Sequence, residues 1–232
     1  MKNIMIIGAN GFTGRQILND LSSKAQYKVT GCSLHPDILP KNGGNYHFTT
    51  TDIRDEAAVK QLFKEVQPDV VINSSALSVP DYCETHHEEA WLTNVTAVEQ
   101  LAHLCESYKS RFIHLSTVFD GKIDEKSGQL YTEETLPAPV NYYGFTKWKG
   151  EEKVAEICSN YAIARVEIVY GKALPGQHGN IVQLVMNRLN AGQEIRVVSD
   201  QWRTPTYVGD VSAGVQHLME NAANGIFHIC GD

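Results

Sequence analysis

The chain has 232 residues, 42% of them hydrophobic and 20% charged, which is typical of a globular protein of one domain or of one domain with a small appendage. Its net charge of -7 at pH 7 argues against a general nucleic-acid binder and against a protein that binds anionic membrane surfaces. No apolar run is long enough to span a bilayer, and we expect no signal peptide because the sequence opens on a strand pattern. Its five scattered cysteines form no C-x-x-C pair, so we expect reduced thiols and a cytoplasmic location.

The first predicted elements are a buried strand over Asn3–Ile7, a glycine-rich turn and a helix over Arg15–Leu21. In such a turn Gly8 permits the tight bend, Gly11 lets the backbone approach a pyrophosphate, and Gly14 allows the helix to pack closely on the strand. Free N–H groups at the helix start then bind phosphates without a basic side chain. This order of elements predicts dinucleotide binding rather than an ordinary glycine-rich turn. The residues assigned to the cofactor here are Gly8, Asn10, Gly11, Phe12, Thr13, Gly14 and Arg15.

The second strand is predicted over Tyr27–Ser33, and its end bears on the choice of cofactor. NAD sites usually place Asp or Glu there to bind the ribose 2′-hydroxyl, but the stretch from Cys32 to His35 contains no carboxylate. Nothing in that stretch would repel a 2′-phosphate, and Arg15 or His35 would attract one. The pattern favours NADP(H) and leaves NAD(H) open, although His35 by itself is typical of a surface loop.

A short strand over Tyr46–Thr49 and a helix over Glu56–Val66 follow a loop at Pro36–Asn45. Asp52 and Ile53 lie between the strand and the helix. Asp52 either caps the N-terminus of the helix or meets the adenine of the cofactor, and the sequence leaves both alternatives open.

A strongly apolar strand over Pro68–Asn73 ends in small residues, which leave room for a ligand at the carboxyl edge of a parallel sheet. Helical periodicity then runs from Glu88 to Tyr108, and the residues predicted to face inward are Trp91, Leu92, Val95, Val98, Leu101, Ala102 and Cys105. Asn94 lies on this helix, where its amide needs a partner and either caps a backbone kink or orients a water at a site. His86 and His87 lack further ligands at metal spacing, so we predict a solvated helix start and no metal site.

A buried strand over Arg111–Ser116 leads into a polar segment, Phe119–Pro139, that we interpret as a surface loop. The next helix runs from Asn141 to Cys158 and places Tyr143 and Lys147 four residues apart on one face. Such a pair is common on surface helices. However, a phenol with an ordinary pKa of about 10 needs a nearby cation to exchange protons at neutral pH, so the pair also matches a proton-transfer site.

The remaining pattern adds a strand and turn over Ala162–Gly171, a strand over Ile226–Cys230, and helices over Asn180–Ala191 and Gly209–Glu220. The alternation of strands and helices predicts an α/β fold with a Rossmann-type doubly wound parallel sheet. We assign residues 1–170 to an NAD(P)-binding domain, to which 180–192 and 209–222 return, and residues 171–232 to a small, partial substrate-binding portion.

Several motifs occur in one order along nearly the whole chain, and together they resemble the extended short-chain dehydrogenase/reductase superfamily. They are Gly8-x-x-Gly11-x-x-Gly14, Asp52-Ile53, Asn73-Ser74-Ser75-Ala76, Ser116-Thr117, Tyr143-x-x-x-Lys147 and Arg165…Tyr170-Gly171. The stretches Val118–Gly121 and Asp200–Thr206 look like the dTDP-4-dehydrorhamnose reductase branch. This resemblance implies an NAD(P)H-dependent oxidoreductase that reduces a 4-keto sugar nucleotide, above all dTDP-4-dehydro-L-rhamnose to dTDP-L-rhamnose. Two alternatives stay open: an NADP-binding regulatory subunit without turnover, and a nucleotide-sugar epimerase or dehydratase.

The resemblance also implies roles for individual residues. Tyr143 would pass a proton to the substrate carbonyl oxygen, Lys147 would favour the tyrosinate and hold the nicotinamide ribose, and Thr117 would hydrogen-bond the same oxygen. Beyond the glycine turn, the implied cofactor contacts are Asp52, Ile53, Asn73, Ser74, Ser75, Ala76, Tyr143 and Lys147. The implied nucleotide-sugar contacts are Val79, Asp81, Asn94, Asp200, Gln201, Arg203 and Thr204. Family analogy adds a homodimer.

Two features depart from the family pattern. The family has two more residues between Ser-Thr and Val-Phe-Asp-Gly, whereas Thr117 directly precedes Val118 here, so either the loop is shorter or Thr117 is displaced. The family also continues beyond its last strand, so we expect part of the substrate pocket to lie outside this sequence.

Overall fold

Nine strands and eight helices follow one another in the computed structural model, which describes residues 1–38, 45–117, 131–174, 177, 179–196 and 203–231. The strands are β1 (Lys2–Ile7), β2 (Tyr27–Ser33), β3 (Tyr46–Thr50), β4 (Val70–Asn73), β5 (Arg111–Thr117), β6 (Tyr161–Val166), β7 (Val169–Tyr170), β8 (Thr206–Tyr207) and β9 (Gly225–Ile229). The helices are α1 (Phe12–Ser22), α2 (Glu56–Val66), α3 (Pro80–Cys83), α4 (His87–Trp91), α5 (Ala97–Tyr108), α6 (Tyr142–Ile157), α7 (Ile181–Asn190) and α8 (Val208–Glu220). A π-helical turn over Leu92–Thr96 joins α4 to α5.

Seven of the strands form one parallel sheet in the order β3-β2-β1-β4-β5-β6-β9. The chain first moves outward from β1 to β3 and then outward from β4 in the other direction, so the strand order reverses between β1 and β4. The predicted Rossmann-type doubly wound fold is therefore confirmed. Such a reversal opens a crevice at the carboxyl ends of the two strands, where doubly wound sheets bind ligands.

Alternation along β1 divides the core into two layers. Ile4 and Ile6 pack with buried side chains of α1 and α8 on one face of the sheet. Met5 and Ile7 point to the other face and pack with buried side chains of α2 and α5. Because helices cover both faces of the sheet, the residues of β1 that point to either face are apolar, and polar and apolar residues do not alternate from Ile4 to Ile7.

The helix predicted from Glu88 to Tyr108 forms, but the π-helical turn interrupts it. Trp91 and Leu92 are predicted to face inward, and for both the prediction is wrong, because each is 38% exposed. A π-helical turn holds more residues than an α-helical one, so the residues before it lie on a different face from the buried stripe of α5. The five predicted inward residues after Leu92 are buried.

The range Ala162–Gly171, predicted as one strand and a turn, contains two strands. β6 ends at Val166, Ile168 has a φ of 38°, and β7 pairs with β8 in a separate two-stranded sheet. A β-branched residue is strained at positive φ. Because isoleucine is typical of strand interiors and rare at positive φ, the apolar pattern of the sequence did not indicate this break.

The N-terminal cap of α2 is Asp55, whose carboxylate accepts a hydrogen bond from the N–H of Ala58. The helix-capping alternative for Asp52 is therefore wrong. Its carboxylate instead accepts hydrogen bonds from Arg54, at 2.9 Å from Nε and 2.7 Å from Nη2.

Two predicted loops fall partly beyond what can be compared. Residues 39–44 of the first and 119–130 of the second lie outside the described residues. In the part of the chain that the structure describes, no helix has the length and apolar character needed to cross a bilayer.

Candidate active site

A cavity of about 650 Å³ lies at the carboxyl edge of the sheet, where the strand order reverses. Its walls come from the turn after β1, the small residues after β4, the end of β5 and one face of α6. The cofactor and catalytic residues predicted from sequence that line it are Gly8, Gly11, Phe12, Thr13, Asp52, Ile53, Ser74, Ser75, Ala76, Tyr143 and Lys147. Asn10, Gly14, Arg15 and Asn73 do not line the cavity.

The turn after β1 is tied to both neighbouring strands. Gly8 has a φ of 80°, and its N–H donates to the carbonyl of Cys32 at 2.9 Å. A Cβ atom on Gly8 would lie 2.7 Å from the backbone nitrogen of Ser75. The hydroxyl of Ser74 lies 2.8 Å from the carbonyl oxygen of Ile7 and donates to it. Glycine is thus required at position 8 both by its backbone conformation and by the close approach of β4.

The N-terminus of α1 opens into the cavity. No side chain caps the helix at Gly11, and its first turn contains no acidic residue. A Cβ atom on Gly11 would meet only the carbonyl of Gly8, at 3.1 Å. Uncapped N–H groups and the positive end of the helix dipole make this a suitable site for a phosphate group.

Arg15 lies behind the turn and is 2% exposed. Its Nη2 donates to the carboxylate of Asp37 at 2.6 Å and to Oδ1 of Asn10 at 2.7 Å. The other Asp37 oxygen accepts the hydroxyl of Tyr46 at 2.7 Å. The sequence analysis found no carboxylate between Cys32 and His35 and overlooked Asp37, whose carboxylate neutralises Arg15. Its position four residues after Ser33 was the available signal.

Arg54 and Glu89 line the cavity beside Asp52 and were missed by the sequence analysis. Arg54 Nη1 lies 3.4 Å from a Glu89 oxygen, and the guanidinium also bonds both oxygens of Asp52. The neighbouring Arg54 holds the pKa of the Asp52 carboxyl below its usual range. This end of the cavity is therefore lined by charges that already have partners.

Tyr143 and Lys147 both line the cavity. Burial raises the pKa of the Tyr143 phenol to about 12, and no described residue is hydrogen-bonded to its hydroxyl. The Lys147 side chain is 2% exposed, and its Nζ donates to the carbonyl of Leu115 at 2.8 Å. Burial lowers the pKa of this amine to about 8. At neutral pH the phenol therefore carries its proton.

His114 of β5 links Lys147 to β4 and was also missed by the sequence analysis. It is fully buried, with Nε2 3.3 Å from Lys147 Nζ and Nδ1 3.2 Å from Nδ2 of Asn73. Burial, with the neighbouring Lys147, holds the pKa of His114 well below its usual range. The imidazole is consequently neutral at neutral pH.

Ser116 lies on the cavity wall, and Thr117 does not. Successive strand residues point to opposite faces, so the two hydroxyls diverge. Ser116 is 4% exposed, and its Oγ is buried without a hydrogen-bond partner among the described residues. The catalytic role of Thr117 stays a prediction.

The structure brings none of the described sugar-side residues onto the cavity wall. Val79 and Asp81 are exposed and follow Ser78, which does line it. The Asn94 amide is buried and bonds both backbone groups of Leu77 and the hydroxyl of Thr146. Arg203 Nη1 and the Thr204 hydroxyl both donate to Glu167, at 3.1 and 2.8 Å. Asp200 and Gln201 lie outside the described residues.

The buried His114 predicts a sensitivity of stability to acid. The unfolded chain binds a proton at this side chain below about pH 6.5, whereas the folded chain does not until a much lower pH. The free energy of unfolding should therefore fall by up to about 1.4 kcal/mol per pH unit below pH 6.5. Urea unfolding at a series of pH values measures the slope, and His114→Gln should make it shallower. An equal slope in both proteins would contradict the prediction.

Comparison with known proteins gives one family for the whole chain. Residues 1–232 match the model of the RmlD substrate binding domain. The chain is 34% identical over 229 residues to the probable low-salt glycan biosynthesis reductase Agl14 of Haloferax volcanii, covering 97% of this chain and 73% of that protein. It is 30% identical to methionine adenosyltransferase 2 subunit beta of Danio rerio, covering 98% and 68%.

A solved structure supports the same grouping. The crystal structure of dTDP-4-dehydrorhamnose reductase from Bacillus anthracis in complex with NADP superposes with a TM-score of 0.82 at 28% identity. The match covers 100% of this chain and 76% of the other.

Proposed function

The chain belongs to the family of the RmlD substrate-binding domain, within the extended short-chain dehydrogenase/reductase superfamily, and from this premise we propose that it is an NAD(P)H-dependent reductase of a sugar nucleotide. The observation that carries the proposal is a single cavity lined both by an uncapped helix N-terminus beside a glycine turn and by the Tyr143 phenol. The first feature suits a dinucleotide and the second suits proton transfer. The finer proposal is reduction of dTDP-4-dehydro-L-rhamnose to dTDP-L-rhamnose.

The residues of the cavity fit a nicotinamide dinucleotide. Gly11 leaves the backbone open at the start of α1, where the N–H groups would hold the pyrophosphate. Lys147 of α6 lies on the cavity wall, and its amine reaches the end of β5. There the amine would hold the nicotinamide ribose. When bound, the reduced nicotinamide supplies the hydride that the carbonyl carbon of the substrate accepts.

Tyr143 would supply the proton for the same reduction. With a pKa of about 12 the phenol is protonated at neutral pH and has a proton to give to the carbonyl oxygen. Hydride to carbon and proton to oxygen convert the ketone to an alcohol, and the nicotinamide leaves oxidised. A charged Lys147 would stabilise the tyrosinate that this step leaves. A hydroxyl at the end of β5 would hydrogen-bond the carbonyl oxygen: the family pattern favours Thr117 for this role, and the position on the cavity wall favours Ser116.

We propose NADP(H) as the cofactor, with NAD(H) as the alternative. The NADP complex of the relative from Bacillus anthracis supports the first. The ion pair of Arg15 with Asp37 supports the second, because Asp37 neutralises the cation that would meet a 2′-phosphate.

The domain division also stays a proposal. In this view residues 1–170 form the NAD(P)-binding part, to which 180–192 and 209–222 return, and 171–232 contribute to the substrate side. A homodimer is likewise a proposal.

The direct test is loss of NADPH absorbance with dTDP-4-keto-6-deoxy sugars, dTDP-4-dehydro-L-rhamnose first. We expect turnover with this ketone and none when the 4-keto group is already reduced. NADH in a parallel assay decides the preference between the two cofactors. Absence of turnover with every keto sugar would overturn the reductase proposal.

Regulation without turnover is the second candidate, and the similarity to methionine adenosyltransferase 2 subunit beta favours it. A stable complex with a partner enzyme, together with NADPH binding and no ketone reduction, would support this alternative. A third candidate, an epimerase or dehydratase, returns the hydride to its substrate. It would copurify with tightly bound NAD and show no net redox change.

A further inference from the structure

The Asn73 side chain has a fixed orientation. Its Oδ1 accepts the N–H of Ser75 at 3.1 Å and the hydroxyl of Ser75 at 2.6 Å. The amide NH₂ group must therefore face His114, whose Nδ1 lies 3.2 Å from Asn73 Nδ2. Since an amide NH₂ only donates, Nδ1 of His114 is the acceptor of this contact.

That contact sets the tautomer of His114. A neutral imidazole with an accepting Nδ1 carries its proton on Nε2. The Nε2–H group points to Lys147 Nζ at 3.3 Å, while Nζ also donates to the carbonyl of Leu115 at 2.8 Å. An ammonium has no lone pair, so it would leave two donors facing each other in a buried site. An uncharged amine accepts from Nε2–H and donates to Leu115.

We infer that His114 is a positioning residue that stabilises the uncharged form of Lys147 and holds its amine toward β5. The inference rests on the proposed function, because Lys147 is proposed there to hold the cofactor. The titratable or charged groups around the amine are His114 on β5 and Tyr143 and Glu151 on α6. Burial lowers the pKa of Lys147 to about 8, although Glu151 acts to raise it.

This arrangement predicts how the charge of Lys147 responds to pH and to ligand. Without ligand, the amine loses its proton at a lower pH than it would without the Nε2–H donor. Ribose hydroxyls offer acceptors to an ammonium, so a bound dinucleotide favours the charged form. By linkage, dinucleotide affinity should fall as the pH rises through the amine's pKa.

The test is His114→Gln, because the glutamine amide places either an oxygen or an NH₂ group near the position of Nε2. Its oxygen can accept from an ammonium, so the pKa of Lys147 should rise by about one pH unit or more. Competitive labelling with an amine reagent, followed by mass spectrometry of the Lys147 peptide, reports this pKa in the ligand-free protein. In the variant, the pH at which NADPH affinity falls should be higher than in the wild type by a corresponding amount.

His103→Gln is the matched control, since His103 is exposed on α5, and it should leave both midpoints unchanged. An unchanged Lys147 midpoint in a folded His114→Gln protein overturns the inference. If that variant does not fold, imidazole ¹⁵N NMR of the wild type replaces it. A proton on Nε2 supports the inference, and a proton on Nδ1 overturns it. Failure of the proposed function looks different: the wild type would reduce no keto sugar, while the labelling midpoints of the two proteins would still differ.

Discussion

Tyr143→Phe is expected to lower kcat by about 10²- to 10⁴-fold, while NADPH affinity stays near that of the wild type. The phenol hydroxyl lines the cavity and has no hydrogen-bond partner among the described residues, so its removal leaves no protein group unpaired. The phenyl ring keeps the packing of α6. The change therefore isolates the proton that the hydroxyl would give to the ketone. Steady-state kinetics and fluorescence titration with NADPH measure the two quantities separately.

Tyr142→Phe is the matched control for this prediction. Tyr142 is the preceding residue of α6, but its ring stacks on His87 at 3.9 Å and does not line the cavity. We expect a kcat within about twofold of the wild type for this control, since surface substitutions away from a site have small effects. If Tyr143→Phe retained near-normal turnover, Tyr143 would not be the proton donor.

Gly14→Ala is expected to destabilise the protein by about 1–3 kcal/mol and to abolish NADPH binding. A Cβ atom on Gly14 would lie 2.3 Å from the carbonyl oxygen of Gly8 and 2.4 Å from Oγ of Ser74. One of these contacts is with backbone, so the added methyl must push α1 away from the turn. Thermal unfolding and fluorescence titration with NADPH measure the two effects.

Two further glycines separate the causes. Gly11→Ala meets only the Gly8 carbonyl, at 3.1 Å, so it should leave stability nearly unchanged but weaken NADPH binding by blocking the pyrophosphate. Gly179→Ala has ordinary space, with a side-chain atom at 3.8 Å, and should change neither. Wild-type stability and affinity in Gly14→Ala would show that the close packing of α1 on the turn is not required.

The main elements were predictable because each carries its own local signal. The bounds of β2 and α2 match the predictions, since β2 is a β-rich run and α2 repeats its apolar residues with helical period. The π-helical turn and the positive φ of Ile168 were not predictable. In both places the apolar pattern of the sequence is equally compatible with an uninterrupted helix or strand, so the interruption has no local signal.

The candidate site divides in the same way. The glycine turn was predictable because its glycines are three residues apart and are needed for local backbone reasons. The His114 contacts were not, because Asn73 lies 41 residues before it and Lys147 33 residues after it. Only the parallel register of β4 and β5 brings these side chains together. Asp37 and Arg54 were overlooked although they lie close in sequence to predicted residues.

The hydrogen bond from Ser74 to the end of β1 has a consequence for how the protein can change its cofactor. It fastens the turn to β4 before any dinucleotide arrives, so the pyrophosphate cradle is preorganised and binding orders little of the chain. A cradle held in this way recognises what NAD and NADP share. Discrimination between NAD and NADP must then come from residues beside the cradle. Asp37, which pairs with Arg15, is the position at which to change the cofactor preference.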